Sequence, residues 1–144
     1  MLRELIPPET PLAFQAIKEL RPHLESADSF TQIVDDVQRA EGYRLVGAFE
    51  DGTEHAVAVA GFRVIHSLMW GKFLYIDDLS TLPHARRRGH GRSLLDWTEA
   101  EARRLGCTQL DLDSGVGHHR IDAHRSYFNA GLEIIGFHFA RPLD

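Results

Sequence analysis

The chain has 144 residues, 43% of them hydrophobic and 26% charged, with a formal net charge of -5. That length fits one domain, expected over residues 1–144, with enough material for a core, and the acidic balance argues against a protein that coats nucleic acid. The lone Cys107 cannot staple the chain by an internal disulfide, and no apolar run suits a secretory leader or a membrane span, so a cytoplasmic protein is expected.

Leu2 to Ile6 predicts a short strand closed by Pro7-Pro8. Thr10 is placed to cap a helix with Pro11 at its first position, and Leu12, Ala16 and Leu20 form its apolar stripe. Ser29 to Ala40 predicts a second helix, with Phe30, Ile33, Val34 and Val37 on one face and Gly42 as its stop. Tyr43–Phe49 and Ala56–Ile65 flank a turn-like Glu50-Asp51-Gly52-Thr53, which reads as a hairpin. Phe73 to Thr81 is a further strand. Gly91 to Leu105 is an amphipathic helix ended by Gly106, Thr108 to Leu112 is β-like, and Ile121 to Ala130 is a helix ended by Gly131. Ile134 to Ala140 is expected as the last strand. The order β-α-α-β-β-β-α-β-α-β predicts an α/β fold with a mixed central sheet and helices on both faces.

One stretch combines charge with glycine where a helix begins. The strand ending at Thr81 runs into Arg86, Arg87, Arg88, Gly89, His90, Gly91, Arg92 and Ser93. The first turn of a helix presents backbone N–H groups without internal partners, at the positive end of its dipole. Glycines let a bulky anion approach that backbone. Strand, glycine turn and helix start together make a cradle for a phosphate or pyrophosphate, and arginines add attraction and directed hydrogen bonds. The Gly-Lys-Ser/Thr of a P-loop is absent, and the three-glycine dinucleotide fingerprint belongs to an early βαβ unit, so neither applies.

The motif Arg86-x-x-Gly89-x-Gly91 resembles the Gln/Arg-x-x-Gly-x-Gly/Ala loop of the GNAT superfamily of N-acetyltransferases, which holds the coenzyme A pyrophosphate. The likeness extends over YIDDLSTLPHARRRGHGRSLLDW, with its acidic pair, its proline and its leucine-rich helix. It extends also to AHRSYFNAGLEIIGFHF, where Ala123, Tyr127 and Gly131 fall on matching positions. Leu132, Arg120 and Leu82 depart from the usual Phe, Asn and Asp. The stretch DSGVGHHRIDAHRSYF is similar to a branch containing aminoalkylphosphonate and other small-amine acetyltransferases.

The resemblance implies transfer of an acetyl group from acetyl-CoA to an amine. Such a reaction needs a base for the amine proton, a proton donor for the departing thiolate and a hydrogen bond to the carbonyl oxygen. Tyr127 matches the tyrosine that the family places beside the thioester sulfur and is the expected general acid. Asp77 and Asp78 interrupt an apolar strand and are the expected bases, and the resemblance singles out Asp77 as the acidic position tied to substrate. On a regular strand they point to opposite faces, so at most one is expected at any given site. The resemblance also implies that the backbone of Leu79, Ser80 and Thr81 pairs with the pantetheine arm like an added strand.

Asp113 is a second candidate base, and Ser114, His118 and His119 are candidates for contact with the substrate. His118, His119, His124 and Asp122 match no standard metal-ligand spacing, so no metal is expected. The expected acceptor is a primary amine of a small molecule. A protein or peptide amine is the alternative, and a non-catalytic acyl-CoA sensor is the reading from another class. No nucleic acid and no membrane is expected as a partner. Dimers are common in the family, so a homodimer stands beside the monomer as an expected state.

Overall fold

A computed structural model describes residues 1–144. The chain divides into two compact units, Met1–Leu112 and Asp113–Asp144.

The first unit is built on a five-stranded sheet in the order β1-β2-β3-β4-β5. Its strands are β1 (Leu2–Leu5), β2 (Arg44–Ala48), β3 (Ala58–Ser67), β4 (Gly71–Thr81) and β5 (Gln109–Leu112). The first four pair antiparallel, and β5 joins β4 in parallel. Between β1 and β2 lie α1 (Phe14–Leu20), entered through a 3-10 turn at Thr10–Ala13, and α2 (Ala27–Gln32). The Pro11 expected at a helix start sits in that 3-10 turn. The second helix begins earlier than expected because Ser26 and Ser29 form a reciprocal capping box. It then widens into a π-helical stretch over Ile33–Gln38. Between β4 and β5 runs α3 (His90–Arg104).

Alternation along β2 and β3 sends side chains to two faces. Leu45 and Val59 pack with Ala13, Ala16, Ile17, Phe30 and Val34 from the α1 and α2 segment. Phe62, of the opposite parity, meets Trp97 of α3 at a centroid distance of 5.9 Å. Helices therefore cover both faces, as the order of elements predicts.

The second unit holds a 3-10 turn at His118–Arg120 and α4 (Ile121–Asn129). Gly131 ends α4 at φ +89°, where an L side chain would be strained. The strand expected over Ile134–Ala140 does not form, and that segment has no regular structure. A strand exists only through the ladder that satisfies its backbone, and the sheet ends at β5.

Candidate functional site

Strand β4 organises the site. Its register with β3 shifts between Gly61 and Phe62: Gly61 faces Asp78, while Phe62 faces Ile76, leaving Asp77 as the extra residue of a β-bulge. Gly61 and Arg63 share one face of β3, and their partners Asp78 and Tyr75 therefore share it too. Asp77 has the parity of Tyr75. The bulge thus turns both carboxylates towards one face, and the expectation that they point apart is corrected.

Their partners separate their roles. Asp77 is clamped by Arg63, whose Nε and Nη2 each donate to a carboxylate oxygen at 2.8 Å. That bidentate fork holds Asp77 to the sheet. Asp78 accepts from the Tyr43 hydroxyl at 2.7 Å and from Arg21 Nε at 2.9 Å. Arg21 Nη2 also donates to the Asp77 carbonyl at 3.0 Å, tying the end of α1 to the bulge. Burial, followed by the negative charge of Asp78, holds the Tyr43 phenol well above its ordinary pKa. Tyr43 therefore stays neutral and donates.

Asp78 and Tyr43 form the polar floor of a cavity of about 410 Å³ walled by Ile17, Leu24, Phe30 and Ile33, with Arg21, His23 and Gln38 completing its lining. Tyr43 and Arg21 are site residues that the sequence reading missed. The available signal was Gly61, a glycine inside a strand pattern, which marks a bulge or a close approach. A Cβ on Gly61 would overlap the Tyr43 hydroxyl oxygen and Cζ and lie 2.8 Å from Cε1. Glycine is there because the tyrosine ring passes over it.

Beyond Asp78, residues Leu79, Ser80 and Thr81 pair with Ala60, Val59 and Ala58 on the β3 side. On the other side, β5 pairs only with Phe73–Ile76. From Asp77 to Thr81 that edge of β4 has no strand beside it; the Asp77 carbonyl accepts from Arg21 and the Thr81 carbonyl from Arg86 Nε at 3.4 Å, which an extended ligand would meet at either end.

The chain then turns through Pro83–Ala85 into the arginine run. Arg87 adopts φ +64°, a left-handed conformation that costs a non-glycine residue strain. Gly89 follows at φ +85° as the N-cap of α3, with no side-chain cap and no acidic residue in the first turn. A Cβ on Gly89 or Gly91 would meet nothing within 4 Å. The space over both glycines is open.

Three of the four arginines are already engaged. Arg86 reaches Glu19 at 3.2 Å, Arg88 reaches Glu50 at 2.6 Å, and Arg92 reaches Asp96 at 3.0 Å. Glu50 is held below its ordinary pKa, chiefly by the Arg88 hydrogen bond. His90 Nε2 is buried without a hydrogen bond, 3.5 Å from a Glu50 oxygen. Ser93 is exposed, and its amide donates to Gly89 O at 3.0 Å as the first helical hydrogen bond of α3.

In the second unit, Tyr127 lies half-buried on α4. Burial raises its phenol pKa, with Arg120 opposing. Asp113 pairs with His138 at 3.1 Å, and His118 and His119 are exposed on the 3-10 turn. Ser114 Oγ and Gly115 O lie 3.1 and 2.8 Å from His124 Nε2.

The profile of the acetyltransferase (GNAT) family matches residues 2–131. The chain belongs to that family. It is an acyltransferase enzyme. It is 32% identical over 132 residues to an uncharacterized N-acetyltransferase of Bacillus subtilis, covering 91% of this chain and 89% of the relative. A shorter match, 37% identical over 68 residues and covering 47% of this chain and 43% of the relative, is to an aminoalkylphosphonate N-acetyltransferase of Salmonella typhimurium. Among solved structures, a Trypanosoma brucei acetyltransferase superposes with a TM-score of 0.81 at 20% identity, covering 99% of each chain. An aminoglycoside N-acetyltransferase in complex with CoA does so with a TM-score of 0.82 at 17% identity, covering 99% of this chain and 93% of the other. At those identities the likeness speaks for the family's fold. No helix is long and apolar enough to cross a membrane.

Proposed function

We propose that this enzyme transfers an acetyl group from acetyl-CoA to the primary amine of a small molecule, by direct attack within a ternary complex. The observation that carries this reading is the run of β4. Along one strand lie a carboxylate pocket at Asp78, an edge without a strand partner from Asp77 to Thr81, and the arginine-glycine loop that opens α3. The family's donor is a long thioester with a pyrophosphate, and these features suit its parts in order. The backbone of Leu79, Ser80 and Thr81 pairs with the pantetheine arm as an added strand. The N–H groups at the start of α3 take the pyrophosphate, and Arg87, which has no carboxylate partner, adds charge beside it. An aminoglycoside N-acetyltransferase solved with CoA shares the fold and lends support to acyl-CoA as the donor.

The acceptor binds in the Asp78 cavity, whose volume suits a small ligand. Its apolar walls take the carbon skeleton, and its ammonium replaces Arg21 at Asp78. Asp78 accepts the amine proton, directly or through water. The amine nitrogen attacks the thioester carbonyl carbon, the C–S bond breaks, the thiolate receives the Tyr127 phenolic proton, and the second proton that the nitrogen sheds in becoming an amide returns through water to the Tyr127 phenolate. A phenol whose pKa is raised by burial remains protonated at neutral pH and is available as that donor.

The test is CoA-thiol release from acetyl-CoA with a panel of primary amines that includes aminoalkylphosphonates, diamines and peptide N-termini. The expected result is release with a small amine, and a Tyr127→Phe variant with kcat lower by roughly 10²–10⁴-fold at unchanged acetyl-CoA affinity. Release with peptides alone would transfer the reading to a protein acetyltransferase. Tight acetyl-CoA binding without release for any amine would make the chain a sensor.

A further inference from the structure

One wall of the Asp78 cavity comes from the π-helical stretch Ile33–Gln38. Every residue lining that cavity belongs to Met1–Leu112. In an α-helix, residues five apart in sequence lie about 140° apart around the axis. A π turn, closed by hydrogen bonds between residues five apart, brings them to one side. Ile33 and Gln38 are related in this way, and both line the cavity. Val37, which α-helical spacing puts on the face of Phe30, Ile33 and Val34, does not. The widened turn therefore exchanges an apolar side chain for a carboxamide at the cavity wall.

Contacts at both ends hold the turn. The Arg39 amide donates to the Val34 carbonyl. The Arg39 side chain donates from Nε to Asp35 Oδ1 at 2.8 Å, and from Nη2 to Leu5 O at 2.9 Å and Thr10 Oγ1 at 2.8 Å. Thr10, fully buried, donates in turn to Asp35 Oδ1 at 2.7 Å. The Gln38 carbonyl accepts from the Tyr43 amide at 3.0 Å, which ties Gln38 to the residue that holds Asp78. The Gln38 side-chain amide has no hydrogen-bond partner in the protein. π turns are rare and are found frequently at functional sites.

We propose that Gln38 selects the amine this enzyme accepts, by hydrogen-bonding a neutral polar group, a hydroxyl or a carboxamide, that the acceptor carries in addition to its amine. The inference rests on the reading of the cavity as the acceptor site. The Gln38 side chain offers two donor hydrogens and an acceptor oxygen without charge, and so matches a neutral group that both donates and accepts. The apolar walls of Ile17, Leu24, Phe30 and Ile33 take the carbons between that group and the amine at Asp78. An alkylamine of the same length would displace water from Gln38 and leave its amide unpaired, which disfavours it.

The experiment uses primary amines in matched pairs, one member carrying a hydroxyl or carboxamide where the other carries a methyl group. The parent should acetylate the polar member of the best pair with kcat/KM higher by roughly 5- to 10-fold. Gln38→Leu should remove that preference by raising KM for the polar member, with kcat unchanged. Val37→Gln, outside the cavity, should keep it. A parent without preference overturns the assignment, and so does a preference that survives in Gln38→Leu or is lost in Val37→Gln. Calorimetric binding of the same pairs in the presence of CoA reads the preference without turnover. Absence of CoA release with a Gln38-dependent preference in binding would overturn the proposed function and uphold Gln38 as the selecting residue. Equal binding of both members would overturn the Gln38 assignment.

Discussion

The Tyr43 hydroxyl donates to Asp78 Oδ2 at 2.7 Å, and the ring that carries it lies over Gly61, the residue paired with Asp78 across the bulge. One aromatic side chain therefore joins three features: the missing side chain of β3, the irregular register of β4 and the carboxylate that floors the cavity. Arg21, donating to both Asp78 and the Asp77 carbonyl, locks the end of α1 to the same point.

Gly61→Ala should destabilise the protein through Tyr43, whose atoms are the nearest to the added Cβ. Gly61 has no positive φ, so alanine meets no backbone strain there, but its Cβ would overlap a ring that is 3% exposed and held in place by its hydrogen bond to Asp78. Overpacking of this kind costs about 1–3 kcal/mol. In a Tyr43→Ala background the obstacle is gone, and the same substitution should cost far less. A double-mutant cycle by urea unfolding measures the difference, and additive effects would show that the ring does not set the glycine.

The same tyrosine predicts a loss of stability in alkali. Its pKa is raised in the folded protein, chiefly by burial and then by Asp78. Above pH of about 10 the unfolded chain ionises Tyr43 and the folded one does not, so the unfolded state binds fewer protons and stability falls as pH rises. The fall should approach about 1.4 kcal/mol per pH unit for this one group. Tyr43→Phe should start less stable and show a shallower decline above pH of about 10. Parallel curves for the two proteins would contradict the assignment.

Asp77 and Asp78 should separate under substitution. Asp78 faces the cavity, whereas Asp77 is held by the Arg63 fork. Asp78→Asn is expected to raise the amine KM and lower kcat by roughly 10²–10⁴-fold, as loss of a general base does. Asp77→Asn is expected to weaken the fold while leaving kcat/KM within about tenfold of the parent, a difference of at most ~1.4 kcal/mol in barrier. Steady-state kinetics with the best small amine decides, and the reverse pattern would make Asp77 the base.

Much of this was legible from local pattern. The alternating strands, the helix stop at Gly42 and the glycine loop before α3 each depend on residues adjacent in sequence, and each appears where the pattern places it. What was not legible depends on distant partners. The face that Asp77 presents is decided by a bulge across from Gly61, and bulges come from pairing between strands. The arginine run looked uniformly available, yet Arg86 and Arg88 are paired with Glu19 and Glu50, carboxylates that come close only once α1 and the β2–β3 turn are in place. Ile134–Ala140 has the composition of a strand, but composition supplies no ladder.

The loop that opens α3 can be tested by a substitution that improves the fold and damages the site. Gly91 lies in the first turn of α3, where a new side chain meets nothing within 4 Å. Gly91→Glu replaces a poor helix former by a good one and adds negative charge at the positive end of the helix, so stability should be unchanged or higher by about 0.3–1 kcal/mol. The same carboxylate would project into the space assigned to the pyrophosphate and repel it. The acetyl-CoA KM should rise at least about tenfold, equal to ~1.4 kcal/mol of binding, with thermal stability retained. Because the fold is not weakened, a higher KM cannot be ascribed to unfolding. An unchanged KM in a stable Gly91→Glu protein would show that the donor phosphates bind elsewhere.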